Sequence, residues 1–178
     1  MAIAALVVLT RSHGHVTRSV GDEPGCPLSG RFPATVTPDR VDAAIVCLLN
    51  RRRAEQGLPV LREQAQLDVA AERQAADIVR RRFWSHVNPD GRSAKDRILA
   101  TGYGPSLVVG ENLAWGQNSE ATPVEIVKRW MQSAGHRANI LEPRYREIGI
   151  GVMMGAPRPG VGNAAVYATT FGAGPVSR

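Results

Sequence analysis

Two imidazoles and a carboxylate stand where segments of regular texture end. His86 follows a long helical stretch, Glu111 lies in the run GENLAWG, and His136 follows Gly135 at the close of the last helical stretch. Two histidines and a glutamate are the donor set of an open zinc site, with a coordination position left for water. Water held by such a metal becomes a nucleophile near neutral pH. No two of these residues are helical neighbours, so spacing alone does not assemble them. A more local pairing is Ser133 with His136, three apart, as nucleophile and base. Nothing beside them supplies an orienting acid or oxyanion donors, and Gly135 is expected to end the helix between them with positive φ. A capping serine is the simpler reading. The same residues also have purely structural uses. A buried Glu111 beside Gly110 and Asn112 can accept backbone N–H bonds, and each histidine can bridge a helix end to a sheet. His13 and His15 are spaced for a metal but sit in an aperiodic tract.

The elements that must position these groups read as follows. Thr37 caps a helix opening on Pro38, with Val41, Ala44, Ile45, Leu48 and Leu49 as its apolar stripe and Gly57 and Pro59 beyond its end. A second, alanine-rich helix runs from about Glu63 to Arg82. Asn88 to Gly91 forms a turn, and Ser93 with Asp96 forms a capping box opening a short helix that Gly102 closes. LVVGENLAWG, from Leu107 to Gly116, is extended. Thr122 to Glu125 starts the last helix, followed at helical spacing by Val127, Trp130, Met131 and Ala134. Strands are expected from Arg146 to Met154 and from Ala164 to Gly172, joined as a hairpin. Ile148, Ile150 and Val152 alternate with Gly149 and Gly151, which leaves one strand face bare enough for another backbone or a ligand to approach. Helices followed by a small sheet with a helix inserted give an α+β layering, the sheet covered on both sides.

Charge and composition narrow the function classes. The chain is 43% hydrophobic, enough for one domain with its own core, and carries a net charge of +6, nearly all from arginine, since Lys95 and Lys128 are its only lysines. That charge favours anionic surroundings. The densest runs, Arg51 to Arg53 and Arg80 to Arg82, fall late in helices, where they complement the helix dipole as solvated ends. No nucleic-acid reading motif accompanies them, so no specific nucleic-acid partner is expected. Met1 to Thr10 is apolar but too short to span a bilayer, and reads as a targeting remnant or, alternatively, a short unstructured end; no transmembrane segment is expected. Residues 1–37 are thus an apolar remnant and flexible linker, and 38–174 the folded domain. Cys26 and Cys47 allow one bridge that would staple the linker onto the first helix, or two free thiols, Cys47 filling core space.

FWSHVNPDGRS (Phe83 to Ser93), GENLAWG (Gly110 to Gly116) and GHRANILEPRYREIGIGV (Gly135 to Val152) together resemble the bacterial branch of the CAP family. The family is named for cysteine-rich secretory proteins, antigen 5 and pathogenesis-related 1 proteins, and the resemblance runs from about Val41 to Gly172. It implies a three-layer α-β-α sandwich, the CAP or SCP fold, with a small antiparallel sheet between helices. It also implies a cleft lined by two histidines and two glutamates, three of which match His86, Glu111 and His136. The second glutamate of animal and plant members stands three residues after the helical tryptophan; after Trp130 that position holds Ser133. One carboxylate fewer weakens a calcium site, so zinc is the favoured metal. Asn112, Ser133 and Arg137 are expected to support the cavity, Arg137 as the cation that meets an anionic ligand. Export to the cell surface or beyond is implied, and with it the Cys26–Cys47 disulfide. The expected function is that of an exported monomer that binds a divalent metal, a lipid or a cell-wall-derived small molecule without turnover. The alternatives are a metal-assisted hydrolase of peptide or ester bonds in the same cleft, and binding of acidic polymer by surface charge.

Overall fold

The computed structural model describes residues 20–104 and 108–174. Met1 to Thr10, His13, His15 and Leu107 lie outside the described residues. Helix α1 (Pro38–Ala54) begins at Thr37 and buries Val41, Ala44, Ile45, Leu48 and Leu49, the stripe read from the sequence. Its end departs from that reading. Arg51 and Arg52 pair with Glu23, whereas Arg53 is fully buried and is no solvated helix end. The Arg53 guanidinium donates to the carbonyls of Pro59, Ile140, Glu142 and Tyr145 at 2.8–3.0 Å, joining α1 to chain some ninety residues away.

Arg62–Glu63 forms strand β1, so helix α2 (Ala65–Arg81) starts later than its periodicity indicates, with the Gln64 side chain capping it by accepting from the Gln66 N–H. Helix α3 (Ala94–Leu99) carries the Ser93–Asp96 capping box in full. Strand β2 (Val109–Gln117) leads to helix α4 (Pro123–Gln132) and the short helix α5 (Ala134–Ile140). Strands β3 (Glu147–Met154) and β4 (Ala164–Gly172) form the expected antiparallel hairpin. The sheet order is β1-β3-β4-β2. It is mixed and not purely antiparallel, because β1 runs parallel to β3.

Alternation on the strands sends each face to a different helix layer. Ile148, Ile150, Tyr167 and Phe171 pack with Leu48, Trp130 and Ile140 of α1, α4 and α5, while Leu113, Val166 and Ala168 pack with Ala71, Ala75 and Ile78 of α2. Three layers result, α-β-α. The bare glycine face is where α2 lies: a Cβ on Gly149 would fall 2.0 Å from the Leu67 carbonyl carbon, and one on Gly151 2.3 Å from that of Ala71. Only glycine lets these two backbones come so close.

From residue 20 onward, the stretch expected to be flexible linker is tied down although it has no period. Cys26 and Cys47 are joined in a disulfide with Cα atoms 5.7 Å apart. Asp22 accepts from the Leu28 and Gly30 N–H groups, and the Ser29 carbonyl accepts from Val124 N–H at the start of α4. Side-chain caps and one covalent link do here what periodic packing does elsewhere. Among the described residues no helix is long and apolar enough to cross a membrane.

Candidate functional site

Helix α2 ends at Arg82 in the left-handed conformation, φ 55° and ψ 54°, which turns the chain sharply into 83–87. Two groups then pin the backbone on which His86 is carried. Gln74 of α2 donates to the Ser85 carbonyl at 3.0 Å, and Arg97 of α3 donates to the His86 carbonyl at 2.9 Å. The turn that follows is closed by Asn88, whose Oδ1 accepts from Asp90 and Arg92 N–H, and is held to α2 by the Arg81–Asp90 pair.

Glu111 projects from β2, an edge strand, with its side chain 2% exposed. Its Oε1 lies 2.8 Å from His86 Nδ1 and its Oε2 accepts from Arg97 Nη2 at 2.5 Å. A carboxylate of this kind only accepts, so Nδ1 carries the proton and the lone pair of a neutral His86 is on Nε2. His86 itself is 55% exposed on its side chain. A buried, fully engaged carboxylate thus orients an exposed imidazole.

Asn112, next on β2, faces the opposite side of the strand, toward α5. Its Nδ2 donates to the His136 carbonyl at 3.0 Å, while Asn139 Nδ2 donates to Asn112 Oδ1 at 2.9 Å and to the Glu111 carbonyl at 3.0 Å. These bonds lock α5 against β2. His136 is half-buried, and burial first, then the nearby charge of His86, hold its pKa below the ordinary imidazole value. It is therefore neutral near pH 7, as a metal-binding imidazole must be.

Several details differ from the sequence reading. The helix breaks at Ser133, which is extended at φ −91° and ψ 123°, and not at Gly135, which lies inside α5 with His136 in its first turn. Ser133 occupies the N-cap position of α5, but its side chain makes no capping bond. Arg137 gives Nη1 to the Met131 carbonyl at the end of α4; the cation at the carboxylate is Arg97, 9% exposed, which sequence reasoning passed over. Its one signal was its place four residues after Ser93, on the inner side of a capped helix. Both Glu111 oxygens are already engaged, one by His86 and one by a guanidinium. Among the described residues no cluster of three or more His, Cys, Asp or Glu is placed to hold a metal ion. The structure joins His86 to Glu111, the carboxylate that orients it, while His136 stands on α5 with its carbonyl held by Asn112.

The profile of the cysteine-rich secretory protein family, CAP, matches residues 46–169. The chain is 37% identical over 120 residues to YkwD of Bacillus subtilis strain 168, described as uncharacterized, covering 66% of this chain and 45% of that protein. It is 32% identical over 108 residues to YlbC of the same organism, an uncharacterized membrane protein, covering 61% of this chain and 30% of that one. The chain therefore spans less than half the length of these curated relatives. Among solved structures it is similar to an extracellular protein containing an SCP domain from Bacillus anthracis, with TM-score 0.63 and 26% identity over 76% of this chain and 43% of that one. It also superposes on an outer surface protein of Borrelia burgdorferi, with TM-score 0.58 and 21% identity over 70% of this chain and 85% of that one, a likeness of fold alone.

Proposed function

Because this chain belongs to the cysteine-rich secretory protein family, CAP, we propose that it acts outside the cytoplasm as a non-catalytic binding domain. In this reading its cleft offers the His86 and His136 imidazoles to a divalent cation, zinc in preference to calcium. The observation that carries the reading is the 2.8 Å contact of His86 Nδ1 with a buried Glu111, which leaves Nε2 as the free donor. A histidine that binds a metal has its other ring nitrogen engaged by a carboxylate in this manner. Arg97 neutralises the second Glu111 oxygen and so keeps the buried carboxylate from drawing a hard cation onto itself. Asn112 and Asn139 hold α5, and with it His136, at a set height along β2. A bound zinc ion would supply a Lewis-acid centre with open positions.

Exposed Trp84 and Val87 flank His86, which favours a lipid or wall-derived small molecule with an apolar part as the companion ligand. An extracellular setting is supported by the Cys26–Cys47 bridge and by the extracellular description of the Bacillus anthracis neighbour.

The test is calorimetric zinc titration of the wild type beside His136→Ala and Glu111→Gln. Zinc binding in the wild type, weakened at least tenfold in His136→Ala and by about 10–100-fold in Glu111→Gln, is expected. Equal zinc affinity in the wild type and His136→Ala would overturn the reading.

A further inference from the structure

Among the described residues the large apolar side chains left exposed are Val60, Trp84, Val87, Leu99 and Met154. Apolar residues exposed singly are ordinary on a protein surface. Trp84 and Val87, 47% and 48% exposed, are instead a pair, three apart on the connection between α2 and α3. Across residues 80–92 every position but Phe83 and Asn88 is exposed. The main chain imposes this exposure. After the left-handed turn at Arg82, Phe83 packs against the core on the α2 side while Trp84 is left outside. Gln74 then holds the Ser85 carbonyl, Arg97 the His86 carbonyl, and Ser85 Oγ the Val87 N–H at 3.1 Å. With three successive residues pinned, Trp84 and Val87 are kept from folding back onto the core.

The charge beside this pair is positive. Residues 80–92 hold four arginines and one aspartate, a net +3 out of the +6 of the whole chain. Asp90 is answered by Arg81 in direct contact and by the charge of Arg92. Arg80 and Arg82 are exposed, and among the described residues neither guanidinium has an ion pair or a hydrogen bond. Apolar side chains held out beside unengaged guanidinium groups match an anionic lipid surface, which offers phosphates and, just below them, an apolar layer. Tryptophan favours the depth where those layers meet. An acidic polymer supplies the charges alone and gives Trp84 and Val87 nothing to enter.

We propose that the connection formed by residues 80–92 is a contact surface for an anionic lipid bilayer. Trp84 and Val87 enter the headgroup boundary, and Arg80 and Arg82 meet the lipid phosphates. An apolar anchor and a basic patch together hold a protein at a membrane where either alone is marginal. The proposal rests on the apolar companion ligand suggested beside His86, which it takes to be lipid in a bilayer. It is independent of zinc, since no imidazole takes part.

The experiment is co-sedimentation of the full chain, in the presence of a chelator, with vesicles of phosphatidylcholine alone and of phosphatidylcholine and phosphatidylglycerol in equal parts. Tryptophan emission is recorded alongside. Two double variants accompany the wild type: Trp84→Ser with Val87→Ser, and Arg80→Gln with Arg82→Asn, asparagine because it tolerates the left-handed backbone. All four positions are exposed, so Tm is expected to hold. Binding about tenfold or more tighter to the anionic vesicles is expected, with a blue shift of the emission of Trp84. The arginine variant should lose about fivefold per charge, and the serine variant about tenfold or more together with the blue shift. The proposal is overturned if both vesicle types bind alike, if either variant binds as tightly as the wild type, or if attachment leaves the emission unshifted, the mark of surface charge alone. Dihexanoyl phosphatidylglycerol, below its micelle concentration, binding as tightly as the vesicles would also overturn it while leaving the small-ligand reading in place.

Discussion

Replacing Arg53 by methionine removes a buried cation whose hydrogen-bond partners among the described residues are main-chain carbonyls, those of Pro59, Ile140, Glu142 and Tyr145. Hydrogen bonds to a charged group contribute about 1.5–3 kcal/mol each, but four do not add fully. Methionine keeps the packing of the stem, and the freed carbonyls relax toward water. Losing one partner of a buried charged set costs about 3–5 kcal/mol, and that range is expected for Arg53→Met. In a domain of this size each kcal/mol moves Tm by about 2–4 °C, so the fall is about 6–20 °C. Arg53→Lys recovers part of the loss, since an ammonium lacks the planar fork that reaches three segments at once. Urea unfolding gives the free energy. Hydrogen exchange then shows where it was spent: the amides of α5 and of 141–146 should lose protection before those of α2, which Arg53 does not touch. A loss under about 1 kcal/mol, or uniform loss of protection, would refute the view that this one side chain ties the helix bearing His136 to the core.

Two further perturbations test other parts of the fold. Asp42 of α1 is raised to about 7 by burial first and then by the carboxylates of Asp68, Glu63, Glu72 and Asp39. A carboxyl with a raised folded pKa adds stability below its unfolded value and loses it as pH rises toward the folded one. The chain should therefore weaken between about pH 4 and pH 7 on this account. The full displacement corresponds to about 4 kcal/mol; Asp42 is partly exposed and solvent screens it, which leaves about 1–2 kcal/mol. Asp42→Asn should be more stable than the wild type at pH 7.5 by that amount and equal to it near pH 4, and denaturant curves at the two pH values decide this. Removing the disulfide with Cys26→Ser and Cys47→Ser opens a link between residues 21 apart. It should cost about 3 kcal/mol, with residues 20–37 becoming protease-sensitive before α1; equal resistance of the two would show that the hydrogen bonds of Asp22 and Ser29 suffice.

The sequence by itself determined the elements and their layering. The stripe of α1, the Ser93–Asp96 box, the Thr122 and Pro123 helix start and the alternation through 147–172 are local signals. Each is set by the period of side chains along a backbone or by turn chemistry within four residues. Even the close approach of α2 was written in the Gly149 and Gly151 gaps, though not which helix would fill them. Local signals failed where two outcomes were nearly equal: Gly135 can end a helix but here continues one, and Ser133 takes the break. Only the tertiary structure decided what each charged side chain does. Nothing near Arg53 or Arg137 in the chain marks its role, and Arg97 is marked only by its place after Ser93, yet one is buried on four carbonyls, one neutralises Glu111, and one caps α4. The reason is physical: a guanidinium is long enough to reach several alternative partners, and which is within 3 Å depends on segments that meet only when the sheet and its two helix layers have closed.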